Sequence, residues 1–97
     1  NPDLVRKFVS AVSKGYLFAI EKPEEAAEIL IKAVPELDPD LVKESQRWLA
    51  NKYQDDAPKW GHQKLEVWEN YADWMYERGL LDQRLDAEKA FTNEFLP

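Results

Sequence analysis

Ninety-seven residues hold one domain or less, since globular domains mostly run to about 100–150 residues. With 44% hydrophobic and 33% charged residues, the composition is that of a folded chain rather than a disordered one. Thirteen Lys and Arg against 19 Asp and Glu leave a net charge of -6, which argues against a nucleic-acid partner and against electrostatic docking on anionic lipid.

Apolar residues recur three and four apart along most of the chain, and the alternation of a strand is absent, so the expected fold class is all-α. The first helix is predicted from about Asp3 to Ile20, with Leu4, Val5, Phe8, Val9, Val12, Tyr16, Leu17 and Ile20 as its apolar stripe. Asn1 is a good N-cap, and Pro2 and Asp3 suit the first turn. Gly15 interrupts this stripe, and its missing side chain suggests the close approach of another element. Pro23 with Glu24 and Glu25 starts a second helix through about Ala33, which Pro35 ends. Asp38-Pro39-Asp40 repeats the start signal. The third helix then runs to about Lys52 or Tyr53, with Leu41, Val42, Ser45, Trp48 and Leu49 on one side.

Residues 54–64 lack periodicity, contain Pro58 and Gly61, and read as the one long loop. A fourth helix is predicted from Leu65 to about Arg78, with Leu65, Trp68, Tyr71, Ala72 and Met75 as its apolar face. Arg78-Gly79-Leu80 has the composition of a Schellman ending. One further helical turn is expected near Asp86–Ala90, followed by an irregular tail.

The chemistry-bearing residues are few. The chain has no cysteine, which excludes disulfides, a thiolate nucleophile and Cys-ligated metals. His62 is the sole histidine and has no second His or Ser-centred motif beside it, so its expected state is a solvated or locally bonded imidazole. The carboxylate groups Glu24/Glu25/Glu28, Asp55/Asp56 and Asp82/Asp86 match no calcium-loop spacing and read as caps and solvated faces. No metal, no cofactor and no catalytic residue is expected. Among the 12% aromatic residues, Trp48 and Trp68 are expected to fill the core. Trp74 and Tyr76 lie on other sides of the fourth helix, so burial on more than one side is expected there. Trp60, beside Gly61 in the loop, is the best candidate for a ligand-stacking residue.

Several stretches taken together, in order, resemble the C-terminal part of the ABC-transporter substrate-binding proteins of the thiamine-pyrimidine and sulfonate type. That family also contains the eukaryotic pyrimidine synthases of thiamine biosynthesis. The stretches are Asn1 to Phe8, Gly15-Tyr16, Ala19 to Ala27, Tyr53 to Pro58, Trp60-Gly61, Val67-Trp68, Ala72 to Met75, Gly79 to Leu81 and Ala90 to Leu96. The family often opens the fourth helix with Asp-Pro, where this chain has Lys64-Leu65.

The resemblance implies a two-lobed α/β protein of the periplasmic-binding type II fold, with ligand held between the lobes. Residues 1–97 would be a single helical subdomain of it, supporting one lobe. A start at Asn1 without Met fits a piece of a longer chain. The implied function is the solute-binding component of an ABC importer for a thiamine-precursor pyrimidine, located outside the cytoplasm. Its partners would be the rest of the parent protein, an ABC permease and the small-molecule ligand. The isolated piece is expected to self-associate through a face that has lost its cover. Two other readings are a stand-alone helical protein-interaction module and an enzyme of thiamine-pyrimidine synthesis. The latter would need a histidine-bearing segment absent here.

Overall fold

The computed structural model describes all 97 residues and contains no strand. Four helices follow in order: α1 (Pro2–Glu21), α2 (Pro23–Ala33), α3 (Pro39–Ala50) and α4 (Leu65–Glu77). A single 3-10 turn, Ala87–Lys89, stands in the otherwise irregular C-terminal stretch.

The helix starts follow from their caps. The Asn1 Oδ1 accepts from the Leu4 N–H at 3.2 Å, and the Asp38 Oδ1 accepts from the N–H groups of Asp40 and Leu41 at 3.0 and 3.3 Å. Both satisfy donors that a helix N-terminus leaves free. Lys64 supplies no side-chain cap to α4, as the missing Asp-Pro suggested. At the other end of α4, the Leu80 N–H donates to the Met75 carbonyl at 2.9 Å and the Gly79 N–H to Tyr76 at 3.0 Å. With Gly79 at φ 73°, this is the Schellman ending read from the sequence.

Helix α3 is shorter than its periodicity implied. It stops at Ala50 instead of Lys52 or Tyr53, where the Lys52 N–H takes a tighter i→i−3 bond to the Leu49 carbonyl at 2.7 Å and shares that acceptor with the Tyr53 N–H. That turn swings Tyr53 toward α1, where its ring meets Tyr16 edge-on at 5.0 Å.

Helices α1, α2 and α3 pack on one another, while α4 packs on the 3-10 turn and on none of those three. Only four residues are fully buried, and all are small: Ser13, Ala27, Ala50 and Ala87. The helices meet through these small residues, and the large side chains stay at the margins. Two sequence expectations fail here. Trp48 is not a core residue; it is 64% exposed, with the Lys52 ammonium 5.3 Å from its ring centre. Nothing packs against Gly15 either, since a Cβ built there meets no atom within 4 Å. The α1 stripe is wider than its buried part, and Leu4 and Phe8 are 62% and 68% exposed.

The two halves are joined by the long loop and the tail. The Gln63 N–H donates to the Asn93 Oδ1 at 2.9 Å, and the Asn93 side-chain amide donates back to the Gln63 carbonyl at 2.8 Å. The Lys59 ammonium donates to the Pro97 main-chain oxygen at 2.9 Å. From α1, the Arg6 guanidinium donates to the Glu94 carbonyl at 2.9 Å and lies 5.0 Å from the Phe95 ring centre. Gly61 sits inside this clamp at φ 85°, and a Cβ there would stand 2.9 Å from the Leu96 Cδ2.

Gly61 and Gly79 therefore separate two costs. Gly79→Ala meets only left-handed backbone strain, about 1 kcal/mol. Gly61→Ala adds displacement of Leu96 and is expected to cost about 2–3 kcal/mol. Urea unfolding followed by circular dichroism measures both, and equal losses would show that the tail yields freely.

Candidate functional site

The region with the most chemistry surrounds the loop between α3 and α4. Trp60 stacks on Tyr16 of α1, with ring centres 4.6 Å apart and planes 18° apart. Tyr53 meets the same Tyr16 ring edge-on. Both arrangements are favoured by the ring quadrupole. The Tyr53 hydroxyl donates to the Gln46 Oε1 at 3.2 Å, while the buried Nε2 of Gln46 has no partner. Trp60 thus spends one face on a packing contact with a residue 44 positions earlier in the chain.

Three shallow depressions border this cluster. One, of about 320 Å³, runs along α1 and is lined by Val12, Gly15, Tyr16, Ala19 and Tyr53. A second, of about 340 Å³, lies between Val5 and Val9 of α1, the Trp60-Gly61 turn and the tail residues Phe95 and Leu96. The third, of about 470 Å³, is polar and holds Gln54, Asp56, His62, Gln63 and Lys64 above Trp68. In it the Lys64 ammonium stands 3.6 Å from the Asp56 carboxylate, and the Trp68 indole N–H donates to the Gln63 Oε1 at 2.8 Å. Trp68 stacks on Phe91, ring centres 5.5 Å apart, but it is half-buried and does not fill a core as expected.

The structure brings His62 and Trp60 to neighbouring depressions but not into one site. No group of three His, Cys, Asp or Glu side chains is placed to hold a metal ion. Glu24 and Glu25 stand in the first turn of α2 and Glu28 in its second, and Glu24 accepts from the Arg47 Nε at 2.7 Å. Arg47 also pairs with Glu44. The hydrogen bond and charge of Glu24, then those of Glu44, hold the Arg47 guanidinium above its usual pKa. This pair ties α2 to α3 in solvent, where such contacts contribute little. Sequence reasoning missed the Tyr16–Trp60–Tyr53 cluster, since no local pattern relates those positions. No helix is long and apolar enough to cross a membrane.

Comparison with known proteins adds the following. The sequence pattern of the family described as NMT1/THI5 like matches residues 1–26. The chain is 32% identical over 107 residues to the riboflavin-binding protein RibY of Chloroflexus aurantiacus, with all of this chain covered. It is 28% identical over 100 residues to the 4-amino-5-hydroxymethyl-2-methylpyrimidine phosphate synthase of Legionella pneumophila. It is 30% identical over 95 residues to the formylaminopyrimidine-binding protein of Halalkalibacterium halodurans, with 94% of this chain covered. The chain is a stretch of NMT1/THI5-like sequence. It spans 29% of the length of each of these three relatives.

If Trp60 is a packing residue, its stability contribution is coupled to Tyr16. A double-mutant cycle with Tyr16→Ala and Trp60→Ala, read by urea unfolding, is expected to give a coupling of about 0.5–1.5 kcal/mol. Additive losses would remove the packing role and return Trp60 to the pool of ligand contacts.

Proposed function

We propose that the chain is the helical supporting segment of a solute-binding protein, the extracytoplasmic component of an ABC importer, whose ligand is a pyrimidine or a related small heterocycle. The observation that carries this reading is incomplete self-burial. A folded monomer of this mass exposes about 5,800 Å², whereas this chain exposes 7,652 Å². Its radius of gyration is 17.1 Å, against about 13 Å for a compact chain of this length. The difference in surface exceeds the roughly 800 Å² that one partner contributes to an ordinary interface. Such a chain is built to be covered by further protein, and the remaining 71% implied by the relatives' lengths is of the right size to do so.

The relatives also support a structural role for this part. Their names specify a riboflavin binder, a formylaminopyrimidine binder and a synthase, yet all three match at 28–32% identity along 94–100% of this chain. Similarity along the whole segment while the named ligand changes supports a role in holding the fold. In this reading the segment is non-catalytic, and closure of two lobes elsewhere in the parent holds the solute. The parent would hand it to an ABC permease. The alternative of a free-standing interaction module draws on the same exposed aromatics, but does not account for relatives several times longer.

The native gene product, detected with antibody against this chain, is expected to run several times heavier than 11.4 kDa. Once purified, it should bind a formylaminopyrimidine, a hydroxymethylpyrimidine or riboflavin saturably in a tryptophan-fluorescence titration, and the 97-residue chain alone should not. A native product of 11.4 kDa, or saturable binding by the short chain, would overturn the reading.

A further inference from the structure

Sorted by what they join, the contacts of this chain divide it into two bodies. Helices α1, α2 and α3 pack on one another, and Tyr53 belongs with them through Tyr16 and Gln46. The other body is α4 with its surroundings. Gln63 and Asn93 exchange hydrogen bonds, Lys59 reaches the Pro97 oxygen, and Trp68 stacks on Phe91. These contacts tie residues 59–64, α4, the 3-10 turn and the tail together, while α4 packs on none of the first three helices.

Between the two bodies, every hydrogen bond, ion pair and ring contact lands on two side chains of α1. The Arg6 guanidinium reaches the Glu94 carbonyl and carboxylate at 2.9 and 3.3 Å and lies over the Phe95 ring. Ten residues further along the helix, Tyr16 stacks on Trp60. The Arg6–Glu94 pair stands in solvent, with side chains 49% and 63% exposed, so it holds weakly. The seam beside these contacts is not close-packed, since the 340 Å³ depression opens along it between Val5 and Val9 on one body and Phe95 and Leu96 on the other.

Residues 54–58 are the covalent link. Asp55 holds the left-handed backbone there at φ 50°, and the link's one ion pair to the second body, Asp56 with Lys64 at 3.6 Å, is exposed. The 470 Å³ depression lies on this side, so there is room at the link as well as along the seam. We propose that residues 54–58 are a hinge and that α1 carries its latch. Arg6 holds the tail, Tyr16 holds Trp60, and release of both lets the α4 body swing away from α1–α3 with its helices intact. A few loop residues can absorb such a rotation, and bodies that share so small an interface move relative to one another. The inference goes beyond the function proposed above. It stands on contacts inside this chain and is untouched by whether a parent protein binds a heterocycle.

Distance measurement tests it. The chain has no cysteine, so two introduced ones carry a pair of nitroxide labels at chosen places. Lys32→Cys on α2 and Glu69→Cys on α4 replace exposed residues outside every ion pair. Double electron–electron resonance on the 97-residue chain is expected to show one narrow distance between them. Arg6→Ala with Tyr16→Ala releases the latch from α1, and Glu94→Lys with Trp60→Leu releases the same two contacts from the other body. Either pair should broaden the distribution and extend it to longer distances. Helical circular dichroism should stay unchanged, and so should the distance in a control pair within the first body, Lys14→Cys and Lys32→Cys. A narrow, unmoved distance in a folded release variant overturns the proposal. So does a broad distribution before release, which would show that α1 holds nothing. Loss of helical signal in both release variants, or broadening of the control pair, also overturns it, because the contacts would then hold the helices themselves and not a hinge.

Discussion

The structure depends on the clamp between the long loop and the tail. Helix α4 touches none of α1, α2 or α3, so whatever fixes it relative to them runs through residues 51–64 and 91–97. That connection is made of polar contacts that answer each other. Gln63 and Asn93 exchange a donor and an acceptor, Arg6 and Lys59 reach main-chain oxygens, and Gly61 lets the loop pass close under Leu96. Each of these exposed bonds adds about 1 kcal/mol net at most. The aromatic contacts Trp68–Phe91 and Trp60–Tyr16 pin the two ends of the same connection.

Around that clamp the burial is thin. Every fully buried residue is Ala or Ser, so helices approach closely while their large side chains turn outward. The ion pairs do not compensate, as all six have both partners substantially in solvent. Apolar surface that a larger neighbour would cover is therefore the main unrealised source of stability here, at about 25 cal/mol per Å². The extended shape and the uncovered faces are one fact seen twice.

The helix boundaries were legible because caps are local. Asn1, Asp38, the three helix-opening prolines and Arg78-Gly79-Leu80 each act within four residues, and each is where the sequence placed it. The end of α3 was not, since the turn at Leu49 goes with a contact between Tyr53 and Tyr16 of α1, far away in sequence. Trp48 and Gly15 were misjudged for a related reason. Periodicity reports that a helix has an apolar side, but not whether this chain supplies the element that covers it. Trp74 and Tyr76, for which burial on a second side of α4 was expected, are exposed in this chain, and so is Tyr71 of the predicted apolar face. The Trp60 cluster joins positions 16, 53 and 60, and nothing in a single sequence links them.

A helix with an uncovered apolar face poses a choice between partners, and the flanking charge decides it more sharply than the apolar area does. Hydrophobic burial is nearly indifferent to what supplies the other surface. Flanking charges are not, because a wrong pairing leaves like charges opposed where water is scarce. In this chain Lys7 and Lys14 share one edge of α1 with Asp3 and Glu21, and Arg78 stands over Trp74 beside Glu66 and Glu77 on α4, so each uncovered face carries charge of both signs. Whatever covers either face must therefore match a mixed rim, not one sign.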